Sequence, residues 1–249
     1  MELMIAKDPD ELSRELAGWM TGYIRKVLEK KNFFSLVLSG GDTPKKLYQV
    51  LGTDPFKKNI EWDRIHFFWG DERLVPFSDE RNNAKMVFDH LLSHVPAARE
   101  QVHVINTDRE PLIAAAEYEK LLKDYFKESK HSFDLVLLGL GDNAHTLSLF
   151  PGYDVILEKK HWVRAFYLGE QKMYRITLTA PVINAASEIA FVVSGEGKAV
   201  AMRHVLEESH DPGIYPAQAI KPVNGGLFWW VDEAAAKNLT IKGRGLSTN

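Results

Sequence analysis

Apolar residues along this chain alternate between two rhythms. Short apolar runs at Phe33–Leu38, Ile65–Trp69, Val102–Ile105, Leu135–Leu138, Val163–Phe166, Arg175–Leu178, Ile189–Val193 and Leu227–Val231 predict strands. The stretches between them repeat at helical spacing. Leu12, Leu16, Trp19, Met20, Tyr23, Ile24, Val27 and Leu28 mark the first helix. Asp8-Pro9-Asp10-Glu11 starts it, with a capping carboxylate, proline at the first position and glutamate three residues after the cap. Further helices are predicted over Pro44–Leu51, Asn83–Leu92 and Lys198–Leu206, and another is marked by Ala114, Tyr118, Leu121, Leu122 and Tyr125. Strands alternating with helices imply an open, mainly parallel α/β sheet with helices on both faces. No repeat, low-complexity tract or linker interrupts the alternation. Residues 1–249 are therefore expected to form a single domain, with a loose tail around Gly243–Asn249. The aromatic run Phe228-Trp229-Trp230 could form an interface, but burial in the last strand explains it more simply.

Composition narrows the possible partners. With 249 residues, 45% of them hydrophobic, the chain can bury a substantial core without splitting into two domains. Its 31 basic and 34 acidic residues leave a formal charge of −3, so no global basic field draws nucleic acid. There is no cysteine, which excludes disulfides, thiol catalysis and thiolate metal sites and suits a reducing cytosol. MELMIAKDPDEL lacks the basic start and apolar core of a signal peptide. No run approaches the ~18 apolar residues of a membrane span. A soluble cytoplasmic protein is expected, with neither membrane nor nucleic acid as partner.

Polar chemistry gathers where strands end, and ligands of open α/β sheets bind outside the carboxyl ends of strands. After Leu135–Leu138, the turn bounded by Gly139 and Gly141 leads into Asp142, Asn143, His145, Thr146 and Ser148. A histidine there can move protons near neutral pH, or can serve a structural role by binding loop carbonyls. No HxH, HExxH or GxSxG pattern surrounds it, so neither a metal nor a serine nucleophile is indicated. A catalytic His145 would most simply activate water.

Three further junctions follow the same logic. In Ser39–Pro44 the pair Gly40-Gly41 lets backbone N–H groups approach an anion, the next helix adds its positive end, and Thr43 offers a hydroxyl. An ordinary tight turn before a proline-started helix would read the same way, and Asp42 must point away from any phosphate. Neither GxGxxG nor GxxxxGK[ST] occurs, so no dinucleotide or nucleoside triphosphate is indicated. After Ile65–Trp69, Arg73 could grip phosphate or carboxylate with its fork of donors, or pair with Asp71 or Glu72. After Ile189–Val193, Lys198 opens a helix whose dipole repels it. A bound phosphate would offset that cost; a solvated lysine is the plain alternative.

Taken in chain order, SGGDTP (Ser39–Pro44), GDER (Gly70–Arg73), GLGDNAHTLSLFPG (Gly139–Gly152), RITL (Arg175–Leu178), GEGK (Gly195–Lys198) and YPAQ (Tyr215–Gln218) resemble the successive motifs of the 6-phosphogluconolactonases. The resemblance runs from about Lys31 to Ala235. That family belongs to a wider α/β group with glucosamine-6-phosphate deaminases and ribose-5-phosphate isomerases, which implies a Rossmann-like fold. The deaminase pattern continues past the histidine toward Phe-Asn-Glu, whereas Ser148-Leu149-Phe150-Pro151 stands here and favours the lactonase. The resemblance implies hydrolysis of 6-phospho-D-glucono-1,5-lactone to 6-phospho-D-gluconate in the oxidative pentose phosphate pathway. His145 would take a proton from the attacking water and return it to the departing ring oxygen. No metal or organic cofactor is implied, because a lactone is already a reactive ester. Gly40, Gly41, Thr43, Arg73 and Lys198 would hold phosphate and sugar, with Arg175 contributing from its strand.

Two stretches depart from the family pattern. Asn143-Ala144-His145 stands where the usual turn reads Asp-Gly-His. Asn143 can hydrogen-bond to the histidine without carrying charge, and neighbouring Asp142 could supply the carboxylate. Ala144 must avoid positive φ or tolerate strain. Asp42 stands where serine or threonine is common. Two other functions stay open: sugar-phosphate isomerisation or deamination, and sugar-phosphate binding without turnover. The former needs a carboxylate base over the sugar's C2, which Ser148–Pro151 does not offer locally.

Overall fold

A computed structural model describes residues 1–127 and 132–245. Its elements in chain order are β1 (Glu2–Ala6), α1 (Pro9–Leu28), β2 (Phe34–Leu38), α2 (Asp42–Leu51), α3 (Phe56–Asn59), β3 (Ile65–Trp69), β4 (Asp71–Arg73), α4 (Asn83–His90), β5 (Val102–His103) and α5 (Pro111–Phe126). After these come β6 (Leu135–Leu138), β7 (Val163–Leu168), β8 (Met173–Leu178), α6 (Ala180–Asn184), β9 (Glu188–Val193), α7 (Ala199–Glu207), β10 (Gly226–Asp232), α8 (Glu233–Ala236) and β11 (Arg244–Gly245). Asp8 caps α1 as its composition predicts, accepting from the Asp10 and Glu11 amides at 2.9 Å. Glu11 accepts from the Lys7 amide rather than from that of the cap.

The main sheet has eight strands in the order β11-β1-β10-β9-β6-β2-β3-β5, and every pairing in it is parallel. Crossovers from β1 through β2 and β3 to β5 run one way across the sheet, and those from β5 to β6 and from β9 to β10 run back. Right-handed crossovers therefore place α1, α2 and α4 on one face and α5 and α7 on the other. The change of direction lies between β2 and β6, which pair Leu36 with Leu135 and Val37 with Val136. Both strands are buried along their whole length, the mark of a strand covered on two faces. Trp229, 1% exposed, stacks on Phe191 with ring centres 3.9 Å apart and closes the core beside β9.

Three expectations change. Val163–Phe166 and Arg175–Leu178 belong to β7 and β8, an antiparallel hairpin outside the main sheet, with β4 as its third strand. The alternating burial along β7 is the signature of such a strand, with one face packed and one open. Asp71–Arg73, read as a loop, is a short strand paired with Arg175–Thr177. The expected loose tail is ordered over Arg244–Gly245, which pair with Met4–Ile5; residues 246–249 lie outside the described residues. Gly70 links the two sheets, its N–H donating to Leu38 O at 3.1 Å and its carbonyl accepting from Leu178 N at 2.8 Å. No described helix is long and apolar enough to cross a membrane.

Candidate active site

Parallel registry brings β2, β6 and β3 to one rim, and the three loops leaving them wall a cavity of about 200 Å³. Ser39, Gly40 and Gly41 come from the loop after β2, Asp71 and Arg73 from β4, which follows β3, and Gly139 to Gly141 with His145 to Leu147 from the loop after β6. Asn83 and Lys198 complete the wall from the starts of α4 and α7. This is the strand-end crevice at the reversal of strand order, where such sheets bind ligands.

The loop after β6 is wound tightly around its histidine. Gly141 N donates to His145 O at 2.8 Å, and Thr146 Oγ1 donates to Gly139 O at 2.8 Å. A Cβ on Gly141 would lie 1.9 Å from His145 Nδ1, so only glycine admits the imidazole there. Ala144 has φ 62° and is 1% exposed, and Leu147 has φ 54°. The strain foreseen for Ala144 is therefore present, beside the histidine.

Asn143 Oδ1 receives the backbone N–H of His145 at 3.3 Å, which identifies that atom as the amide oxygen. The same oxygen lies 2.5 Å from His145 Nδ1, so Nδ1 carries the proton and Nε2 keeps its lone pair. The ring stacks on Phe150 with centres 4.1 Å apart. Burial pushes the imidazole down to about 4; Asp71 opposes this, while Lys198 and Arg175 reinforce it. Near neutral pH His145 is thus a neutral acceptor. Asp142 does not take over the missing carboxylate's role. It is exposed and accepts from Lys198 Nζ at 2.6 Å. The helix-start lysine is therefore offset by a carboxylate in the unliganded protein.

The remaining predicted residues divide. Gly40, Gly41, Arg73 and Lys198 line the cavity. α2 begins there with no side-chain cap, leaving its first-turn amides available to an anion. A Cβ on Gly40 would lie 2.0 Å from Asn83 Oδ1, so the loop is pressed against the α4 start. Thr43 is not in the lining; its Oγ1 is 2.9 Å from Ser194 Oγ, joining α2 to the end of β9. Arg175 is also outside the lining, buried against Phe150. Asp42 is exposed and faces a neighbouring cavity of about 300 Å³, away from the first.

Neither acid of the Gly-Asp-Glu-Arg stretch forms an ion pair with Arg73. Arg73 Nη1 donates to Arg81 O at 2.6 Å and its buried Nε has no partner among the described residues. Glu72 instead accepts from the amides of Arg73, Asn83 and Ala84 at 2.8, 2.8 and 2.9 Å. Asp71 lines the cavity and accepts from Ser148 Oγ at 2.6 Å. Sequence reasoning missed Asp71, Asn83 and the pairing of Asp232 with Gly195 N at 3.0 Å, which fixes the turn before Lys198. The signal for Asn83 was Asn82-Asn83 ahead of a helical pattern, a cap followed by a first turn.

Comparison with known proteins identifies the family. The family described as glucosamine-6-phosphate isomerases/6-phosphogluconolactonase matches residues 7–229. A 6-phosphogluconolactonase of Nostoc sp. is 38% identical over 219 residues, covering 86% of this chain and 88% of that protein. The 6-phosphogluconolactonase structure from Trypanosoma brucei has a TM-score of 0.84 at 26% identity, covering 96% of this chain and 98% of that one. A monomeric glucosamine-6-phosphate deaminase has a TM-score of 0.81 at 22% identity, covering 96% and 100%, which shows a common fold. With the family match spanning residues 7–229 and a relative 38% identical over most of both chains, the chain belongs to the glucosamine-6-phosphate isomerase/6-phosphogluconolactonase family.

Proposed function

We propose that the chain is a 6-phosphogluconolactonase, hydrolysing 6-phospho-D-glucono-1,5-lactone to 6-phospho-D-gluconate. The observation that carries this reading is His145, its Nδ1–H engaged by Asn143 and its Nε2 without a hydrogen-bond partner among the described residues, in the wall of a cavity of about 200 Å³. Nε2 takes a proton from water as the water oxygen attacks the lactone carbonyl. The tetrahedral intermediate then collapses, the bond from carbonyl carbon to ring oxygen breaks, and the imidazolium returns its proton to that oxygen. General base and acid assistance of this kind contributes about 10²–10⁴-fold.

Arg73, Lys198 and the uncapped start of α2 supply the charge and amides suited to the substrate's phosphate. Binding this remote group orients the lactone for attack. Lys198 would exchange its exposed Asp142 partner for the phosphate, a swap that costs little because the existing pair is partly solvated. Freshly generated lactone and glucosamine 6-phosphate, offered to the same preparation, test the reading. Accelerated lactone opening without ammonia release is expected; ammonia release without lactone hydrolysis would replace it with the deaminase reaction.

A further inference from the structure

Arg175 differs from the other cations near the cavity. It is 4% exposed, and among the described residues its guanidinium bonds only the Gln171 side-chain oxygen, leaving Nε without a partner. No described carboxylate forms an ion pair with it. On the β4–β8 ladder it sits opposite Arg73, a like-charge pairing that costs stability. A buried cation so poorly compensated is expensive. Its guanidinium carbon lies 5.9 Å from the centre of the Phe150 ring, the same ring on which His145 stacks at 4.1 Å. Arg175 and the base therefore both neighbour one buried aromatic side chain.

We propose that Arg175 is a positioning residue for the proton transfer, its charge, held in no ion pair, acting across Phe150 to keep His145 neutral before attack and to make the imidazolium a readier donor afterwards. The second half rests on the lactonase reading; the first concerns the unliganded protein alone. Four charged groups face His145. Asp71 from β4 and Asp142 in the histidine's own loop favour the imidazolium, while Lys198 and Arg175 oppose it. Asp142 and Lys198 pair with each other at the surface, and Asp71 is hydrogen-bonded by Ser148. Arg175 is the cation left both buried and without a carboxylate partner. In the catalytic step water loses its proton to Nε2, and the same proton leaves Nε2 for the ring oxygen, so the cycle closes with the imidazole neutral. A nearby fixed cation disfavours the charged intermediate and favours that second transfer.

The test is an NMR titration of the His145 ring in the ligand-free protein, alongside the pH profile of kcat/KM, for wild type, Arg175→Gln and Arg175→Lys. Arg175→Gln is expected to raise the titration point by ~1 pH unit, with the acid limb moving equally and KM little changed. Arg175→Lys, which keeps the charge, is expected to titrate as wild type does. An unmoved titration point in Arg175→Gln, or an equal rise in Arg175→Lys, would overturn the proposal. A raised KM with an unmoved acid limb would also overturn it, assigning Arg175 to the phosphate. If Arg175→Gln does not fold, wild type decides. A buried charge escapes ionic screening, so the titration point should hold steady between low and high salt. A rise at high salt would assign the effect to the partly exposed Lys198 and overturn the proposal. Because the titration needs no substrate, its failure is distinguishable from failure of the lactonase assignment.

Discussion

Asn143 and His145 separate two effects that a carboxylate would combine. The amide oxygen orients the ring through Nδ1 without favouring the charged imidazolium, so the base stays neutral well below pH 7. Asn143→Asp should restore that charge, raise the His145 titration point and move the acid limb of kcat/KM to higher pH. A pH–rate profile checks this, and an unmoved limb would show that the amide does not tune the base. Ala144 stores strain at φ 62° beside it. Ala144→Gly should relieve about 1 kcal/mol of that strain, seen as a higher urea midpoint. At this scale much was legible. The histidine, its asparagine and the Ala144 strain follow from a seven-residue turn, because glycine spacing and strand ends are local signals. The roles of Asp142 and Thr43 were not, since their partners Lys198 and Ser194 lie 56 and 151 positions away in sequence.

At the level of elements, Glu72 ties β4 to the first turn of α4. Its buried carboxylate satisfies three amides that belong to two different elements, and burial pushes it up to about 7 against those hydrogen bonds. The clamp fixes Arg73 and Asn83, both in the cavity wall. Glu72→Gln loses acceptor capacity and is expected to cost about 1–3 kcal/mol while raising KM more than it lowers kcat. Denaturant titration and steady-state kinetics on one preparation check both, and an unchanged KM would show that the clamp serves stability alone. The long periodic elements were readable because each satisfies its pattern locally, as α1 does from Asp8 to Leu28. The β7–β8–β4 sheet was not. A three-residue strand has no period, and the antiparallel partnership of Arg73 with Arg175 is settled by tertiary packing. Val163-Arg164-Ala165 alternates apolar and polar residues while Leu135–Leu138 is apolar throughout, and this contrast was the sequence signal that could have separated the two sheets.

For the whole molecule, three histidines with depressed titration share one consequence. Burial lowers His145 and His103 to about 4 and lowers His66 as well. His66 Nδ1 and His103 Nε2 share a hydrogen bond at 3.0 Å, which two fully protonated rings cannot make. Between pH ~6.5 and ~4 the unfolded chain therefore binds more protons at these sites, and their contribution to stability falls as pH falls. Glu72, raised to about 7, and Glu188, also raised by burial, act in the opposite sense because their folded forms hold a proton longer. Three groups outweigh two, so Tm should drop by several degrees from pH 7 to pH 4.5, measurable by calorimetry. A Tm that rises over this interval would contradict the balance. The reaction itself is tested most directly by hydrolysis of freshly generated 6-phospho-D-glucono-1,5-lactone, corrected for spontaneous opening, with wild type and His145→Ala in parallel. The account predicts rapid turnover by wild type, a loss of about 10²–10⁴-fold in the variant, and 6-phosphogluconate binding that survives it. Folded wild type that fails to accelerate lactone opening, or a variant as active as wild type, would contradict it.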